Sequence, residues 1–137
     1  MSVQDSLIPR LQANEGFRPT LYTDTTGHET IGYGWNVNAG ITRYQAGALL
    51  NAQVSEIILL IQQYWWFAKL DEVRAGVIVE VAFNQGISSL LHYVKMLAAV
   101  GAQDWATASA ELLDSDAARL LPDRYGKLSH VLATGLP

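Results

Sequence analysis

The 137-residue chain has no cysteine. That excludes disulfides, thiol nucleophiles and cysteine-based metal sites, and it fits folding in a reducing compartment. Charge is also scarce. Only 16% of residues are charged, and 13 acidic residues outnumber nine basic ones, for a net charge of −4. A duplex- or RNA-binding surface needs clustered Lys and Arg to displace counterions, so no nucleic-acid partner is expected. A locally basic surface built from Arg18, Arg43, Lys95 and Arg124 remains compatible with that sum. The three histidines, His28, His92 and His130, are far apart and lack ligand spacing, so neither a metal nor another cofactor is expected. The start, Met1 to Ser6, has no basic-then-apolar leader pattern, so no signal peptide is expected. The apolar run Ile57 to Ile61 is broken by Gln62 and Gln63, short of the roughly 20 residues a bilayer span needs, so no stable membrane insertion is expected. The Tyr64-Trp65-Trp66-Phe67 segment that follows reads as buried helix more readily than as an interfacial contact.

Half of the residues are hydrophobic, enough for one sizeable core, and the length fits one domain over residues 1–137. Helix signals dominate. Leu7, Ile8 and Leu11 predict a short first helix, with Ser6 as N-cap, Pro9 in the first turn and Gly16 just past its end. Thr20 to Tyr33 is rich in Thr and Tyr around Thr26-Gly27 and predicts a β-hairpin. Thr42 with Gln45 forms a capping box for a helix through Leu50, and another helix is expected from about Ser55 to Phe67. Asp71 can cap a central apolar helix that stops at Gly86. Ser88 or Ser89 opens one that runs to Gly101, Asp104 caps Trp105 to Leu113, and Pro122 starts a last helix to Thr134 before Gly135. The expected fold class is α+β, mainly α. A small β-hairpin lobe (about 15–40) packs on a helical lobe (about 42–135, plus the N-terminal helix), with a ligand cleft between them.

The stretch from Asn14 to Gly34 carries the chemistry. Glu15 falls at a helix end, Asp24 before a glycine-containing turn and Thr30 on the returning strand. Two carboxylates and a hydroxyl in one register can divide acid and base roles, which is what glycoside hydrolysis needs. On spacing alone such a pair is more often solvated surface. The ordered pattern Glu15-Gly16, then Tyr22-x-Asp24-x-x-Gly27-x-x-Thr30-Ile31-Gly32-x-Gly34, is far more specific. It resembles the phage-type lysozymes, the T4-lysozyme-like muramidases. The resemblance extends to Asp71–Gly86 with its Phe83-Asn84-Gln85-Gly86 end, to Met96-Leu97, to Asp104-Trp105, to Pro122-Asp123-Arg124 and to Thr134-Gly135. It is weakest from Asn36 to Gln53.

The resemblance implies an N-acetylmuramidase acting on bacterial peptidoglycan, expected as a monomer. As a phage or prophage endolysin it would wait in the host cytoplasm and act in the periplasm and wall. Glu15 would be the general acid, and Asp24 with Thr30 would hold the attacking water. Phe83, Asn84 and Arg124 would line the sugar site, with Arg124 reaching the catalytic glutamate. Inversion at the anomeric carbon needs carboxyl groups about 6.5–9.5 Å apart. A general acid must keep its proton at working pH, which partial burial and a helix C-terminus both favour. Trp35 stands where the family most often has His, Tyr93 where a small hydroxyl residue is common and Glu111 where an amide occurs. The alternatives are a lytic transglycosylase on the same bond, a non-catalytic wall-binding or phage structural module, and an enzyme for a chitin-type polysaccharide.

Overall fold

The computed structural model describes residues Met1–Pro137. The fold class is α+β, mainly α, with eight α-helices and one three-stranded antiparallel sheet. The chain divides into two compact units, Met1–Ala48 and Leu49–Pro137.

The first unit opens with α1 (Val3–Glu15). The helix starts four residues earlier than Ser6 would place it, because Ser2 and Asp5 form a reciprocal capping box. The Ser2 hydroxyl accepts from the Asp5 N–H at 3.1 Å, and the Asp5 carboxylate accepts from the Ser2 N–H at 2.8 Å. Pro9 therefore lies inside the helix and not in its first turn. Gly16 ends α1, its N–H donating to the Gln12 carbonyl. Strands β1 (Arg18–Thr23), β2 (Glu29–Gly32) and β3 (Trp35–Asn36) follow in spatial order 1-2-3. The register pairs Tyr22 with Thr30 and Thr30 with Asn36, which sets Thr30 in the middle of the sheet. An irregularity between Arg18 and Tyr22 bends β1, and the Arg18 guanidinium lies over the Tyr22 ring at 4.2 Å. Asp24 falls one residue beyond the end of β1, in the turn to β2.

α2 (Arg43–Ile61) is one continuous helix, where the sequence suggested two. The Thr42–Gln45 box opens it as expected, with Gln45 N–H donating to Thr42 Oγ1 at 3.1 Å and Thr42 N–H to Gln45 Oε1 at 2.9 Å. Nothing between Leu50 and Ser55 breaks it, since Asn51 and Gln53 are neither capping glycines nor prolines. At 19 residues and a mean hydropathy of 1.2, α2 is long and apolar enough by composition to cross a bilayer. Its mid-helix Asn51, Gln53, Ser55 and Glu56 would each lie in hydrocarbon, so length and hydropathy alone do not make it a span.

In the second unit the chain leaves α2 at Ile61. It turns through the stacked Tyr64 and Trp66 rings, 5.6 Å apart, and makes a short 3-10 turn at Phe67–Lys69. Trp66 is core at 4% exposure, whereas Trp65 is 65% exposed. α3 (Glu72–Gln85) is capped by Asp71, whose carboxylate accepts from the Arg74 N–H, and buries Val77, Ile78, Val81 and Ala82 on one stripe. The helix expected from Ser88 to Val100 is split into α4 (Ile87–Leu91) and α5 (Val94–Gly101). Tyr93 leaves helical geometry at the break, and its phenol bonds to Gln85 on α3. α6 (Trp105–Leu113) and α8 (Pro122–Thr134) match their sequence signals, including the Asp104 cap, Pro122 at the start and Gly135 in the left-handed conformation at the end. Between them lies α7 (Asp116–Leu120), capped by Ser115, which the sequence reading missed.

α6 and α8 meet at small residues. Ser109 and Ser129 each donate a hydroxyl to the other's carbonyl at 2.9 Å, so buried Ser129 and half-buried Ser109 are both satisfied where the helices cross. Arg74 ties the start of α3 to the end of α8. Its Nε donates to the Leu132 carbonyl at 2.7 Å, Nη2 to the Ala133 carbonyl at 3.0 Å and Nη1 to Asp71 Oδ2 at 2.8 Å, while the guanidinium lies 4.3 Å from the Trp105 ring centre. The last carbonyls of α8 thereby gain cationic donors where the helix dipole favours positive charge.

Candidate active site

The β1–β2 turn is organised by Asp24. Its Oδ1 accepts three hydrogen bonds, from the Thr26 N–H at 2.9 Å, the Thr26 hydroxyl at 2.8 Å and the His28 N–H at 2.8 Å. Donors aimed at one oxygen favour the anion. The Asp24 carboxyl is held below the usual carboxylate range, first by the His28 N–H and next by the Thr26 hydroxyl. Oδ2 is left with only His28 Nδ1 near it, at 3.8 Å. The Thr26 hydroxyl has one proton and gives it to Asp24. The 2.7 Å contact between Thr26 Oγ1 and His28 Nδ1 therefore requires the imidazole to carry its hydrogen on Nδ1.

The same turn fixes Thr30. The His28 carbonyl accepts from the Asp24 N–H at 2.8 Å and from Thr30 Oγ1 at 3.0 Å. Asp24 and Thr30 thus share one backbone anchor. Thr30 is 3% exposed, and with its proton committed to His28 its hydroxyl can act on a further group only as an acceptor.

Glu15 is the last residue of α1 and is exposed, where partial burial was expected of a general acid. Its carboxylate lies against Gly34, in the turn between β2 and β3. A methyl group added to Gly34 would sit 2.5 Å from Glu15 Oε2 and 3.0 Å from its Cδ, and Gly34 has φ +76°. Only glycine allows both this approach and this backbone conformation without strain. The first unit therefore carries Asp24, Thr26, His28 and Thr30 in one hydrogen-bonded turn, and sets Glu15 on the neighbouring Gly34 turn.

The remaining candidates lie in the second unit. Phe83 is 42% exposed on the last turn of α3. Asn84, beside it and exposed, accepts the Tyr125 hydroxyl on Oδ1 at 2.6 Å. Tyr125 is fully buried, and burial pushes its phenol above the usual tyrosine value, so it remains a donor. Arg124, in the first turn of α8, donates from Nε to Glu80 Oε1 at 3.0 Å. Glu80 and Arg124 both line an open groove of about 1050 Å³ along α8, together with Lys127, His130 and Val131.

The model of the phage lysozyme family matches residues 12–121. The chain belongs to that family. Among curated proteins it is similar to a probable T4-type lysozyme 1 of Dictyostelium discoideum, at 24% identity with 95% of each chain covered. As a phage lysozyme the chain is a lysozyme-type peptidoglycan hydrolase, a glycoside hydrolase.

Three residues beside the candidates were not singled out from sequence. Thr26 and His28 complete the Asp24 turn, and an Asp followed by Thr two residues on and His four residues on is the signal that could have shown it. Glu80 as the partner of Arg124 had no local signal, because the two are 44 residues apart. Of the departures from the family pattern, Tyr93 is tied into the network around Gln85, and Trp35 forms β3 opposite Ile31.

The Gly34 contact gives a direct expectation. In Gly34→Ala the atom that must move is the mobile end of Glu15, so with Glu15 as the general acid that the sequence suggests, activity should suffer more than stability. Displacing a reacting group by about 1 Å can cost about 10²-fold, and a left-handed alanine costs about 1–2 kcal/mol. Turnover of soluble wall fragments is expected to fall about ten- to a hundredfold, with a thermal midpoint only a few degrees lower. Wild-type turnover in this variant would show either that Glu15 is not a reacting group or that its placement does not depend on Gly34.

Proposed function

We propose that this lysozyme is an N-acetylmuramidase that hydrolyses the β-1,4 bond between N-acetylmuramic acid and N-acetylglucosamine with inversion. The observation that carries the reading is the Asp24 turn: one carboxylate oxygen saturated by three donors, the other open, and Thr30 anchored to the same His28 carbonyl. A water accepted at that point gives a proton to Asp24 Oδ2 as its oxygen attacks the anomeric carbon, and its second hydrogen points to Thr30 Oγ1. The glycosidic C–O bond breaks, and Glu15 delivers its proton to the leaving oxygen. Phe83, Asn84 and Arg124 are assigned to contact with the sugar chain. The setting we propose is a monomeric phage or prophage endolysin, held in the host cytoplasm until it gains access to the periplasm and wall.

Digestion of purified Gram-negative peptidoglycan, followed by mass and proton NMR analysis of the products, tests the reading. Hydrated reducing ends that appear first as the α-anomer are expected. Anhydro-sugar ends would make the protein a lytic transglycosylase. Binding to walls without release of fragments would make it a binding or structural module.

A further inference from the structure

A chain of hydrogen bonds leads from the interior of the second unit to Asn84. Gln85 Nε2 donates to the Tyr93 hydroxyl at 3.0 Å and to the Tyr125 hydroxyl at 2.6 Å. A phenol has one proton. Because the Tyr125 oxygen accepts from Gln85, that proton is directed to Asn84 Oδ1, at 2.6 Å. Tyr125 is 0% exposed, so neither water nor rotation of the ring offers an alternative partner. The Asn84 amide is thus fixed with its oxygen on the buried Tyr125 hydroxyl, which leaves the NH2 of this exposed residue to donate elsewhere.

We propose that Tyr125 is a positioning residue for substrate, which fixes Asn84 so that its NH2 donates to an amide carbonyl on the peptidoglycan strand. This rests on the reading above that Asn84 contacts the glycan. An asparagine amide presents either a donor or an acceptor according to a half-turn about its last bond, and an exposed one samples both. A buried phenol whose own acceptor site is occupied removes that choice. The site is then selective for an acceptor on the ligand. Amide carbonyls meet that description both on the acetamido groups of the sugars and on the peptide stems.

The test uses the full chain as wild type, Tyr125→Phe, Asn84→Ala, Asn84→Asp and the Tyr125→Phe/Asn84→Ala double variant. Two soluble substrates serve: uncross-linked strands with peptide stems, and the same strands with the stems removed by an amidase. Tyr125→Phe keeps the packed ring. Asn84→Asp keeps an acceptor for Tyr125 and loses the outward donor. Tyr125→Phe, Asn84→Ala and Asn84→Asp are each expected to raise KM about five- to tenfold, the size of one neutral hydrogen bond, with kcat unchanged. The double variant should be no worse than Asn84→Ala, since both changes remove one interaction. A KM effect that persists on stripped strands assigns the carbonyl to the sugar, and one that disappears assigns it to the stem. If Asn84→Ala raises KM while Tyr125→Phe lowers only the thermal midpoint, the positioning role is wrong and the glycan contact stands. Wild-type KM in Asn84→Asp removes the donor role. If Asn84→Ala leaves KM unchanged, the contact itself fails, and the proposal fails with it.

Discussion

Glu15→Gln is expected to lower kcat on peptidoglycan about 10²–10⁴-fold, the range over which a positioned general acid contributes. At about 1.4 kcal/mol per decade this is a loss of about 3–5 kcal/mol of transition-state stabilisation. The amide is isosteric with the acid, so the contact with Gly34 and the end of α1 at Gly16 are preserved and the thermal midpoint should barely move. What is lost is the proton for the leaving oxygen. Glu15 is exposed, so no buried charge or hydrogen-bond network is disturbed that could mimic catalytic loss through unfolding. Turnover of soluble wall fragments, measured beside thermal melting, separates the two. More than a tenth of wild-type turnover would remove Glu15 from the role of acid.

Asp24→Asn should cost about 10²-fold or more in kcat. Asn keeps the oxygen that accepts from Thr26 and His28, so the turn holds, but the free carboxylate oxygen becomes an NH2 that cannot take a proton from water. A loss under about tenfold, or 1.4 kcal/mol, would end the water-activating role. The pH dependence follows the same geometry. Asp24 is held below its ordinary value of 3.8 by the His28 N–H first and the Thr26 hydroxyl second. Its folded value is therefore lower than its unfolded one. The stability it contributes is complete above the unfolded value and is lost as pH falls through the folded value. The acid limb of the rate profile should lie below 3.8, and Thr26→Ala should move it upward. An unmoved limb in Thr26→Ala would assign that limb to another group.

Local chemistry made much of this fold readable. Asp71, Asp104, Pro122 and Gly135 mark helix ends with their own side chains or backbone, so α3, α6 and α8 could be bounded without knowledge of their neighbours. The misses have separate causes. The break between α4 and α5 falls where Tyr93 reaches back to Gln85, a contact between helices that no local period reveals. α7 is five residues long, too short to show a period, and only its Ser115 cap marks it. The early start of α1 hid behind Pro9, which looked like a first-turn residue until the Ser2–Asp5 box was seen. In the candidate site, the order of Glu15, Asp24 and Thr30 was visible because short-range turn chemistry sets it. The Tyr125–Asn84 and Arg124–Glu80 pairs span 41 and 44 residues and needed the packed helices to be seen.

The Arg74 clasp also bears on how the second unit is completed. Its carbonyl partners lie 58 and 59 residues further along the chain. The helices between can gather near neighbours as they are made, whereas α8 must return across that whole span before the guanidinium is satisfied. Loop closure rises only slowly with length, but the contact gives nothing until it is closed. A nascent chain not yet extended through α8 would hold α3 with its buried stripe uncovered on the α8 side and a cation without its two carbonyls. Docking of α8 thus covers α3 on that side and closes the contact that spans most of the second unit.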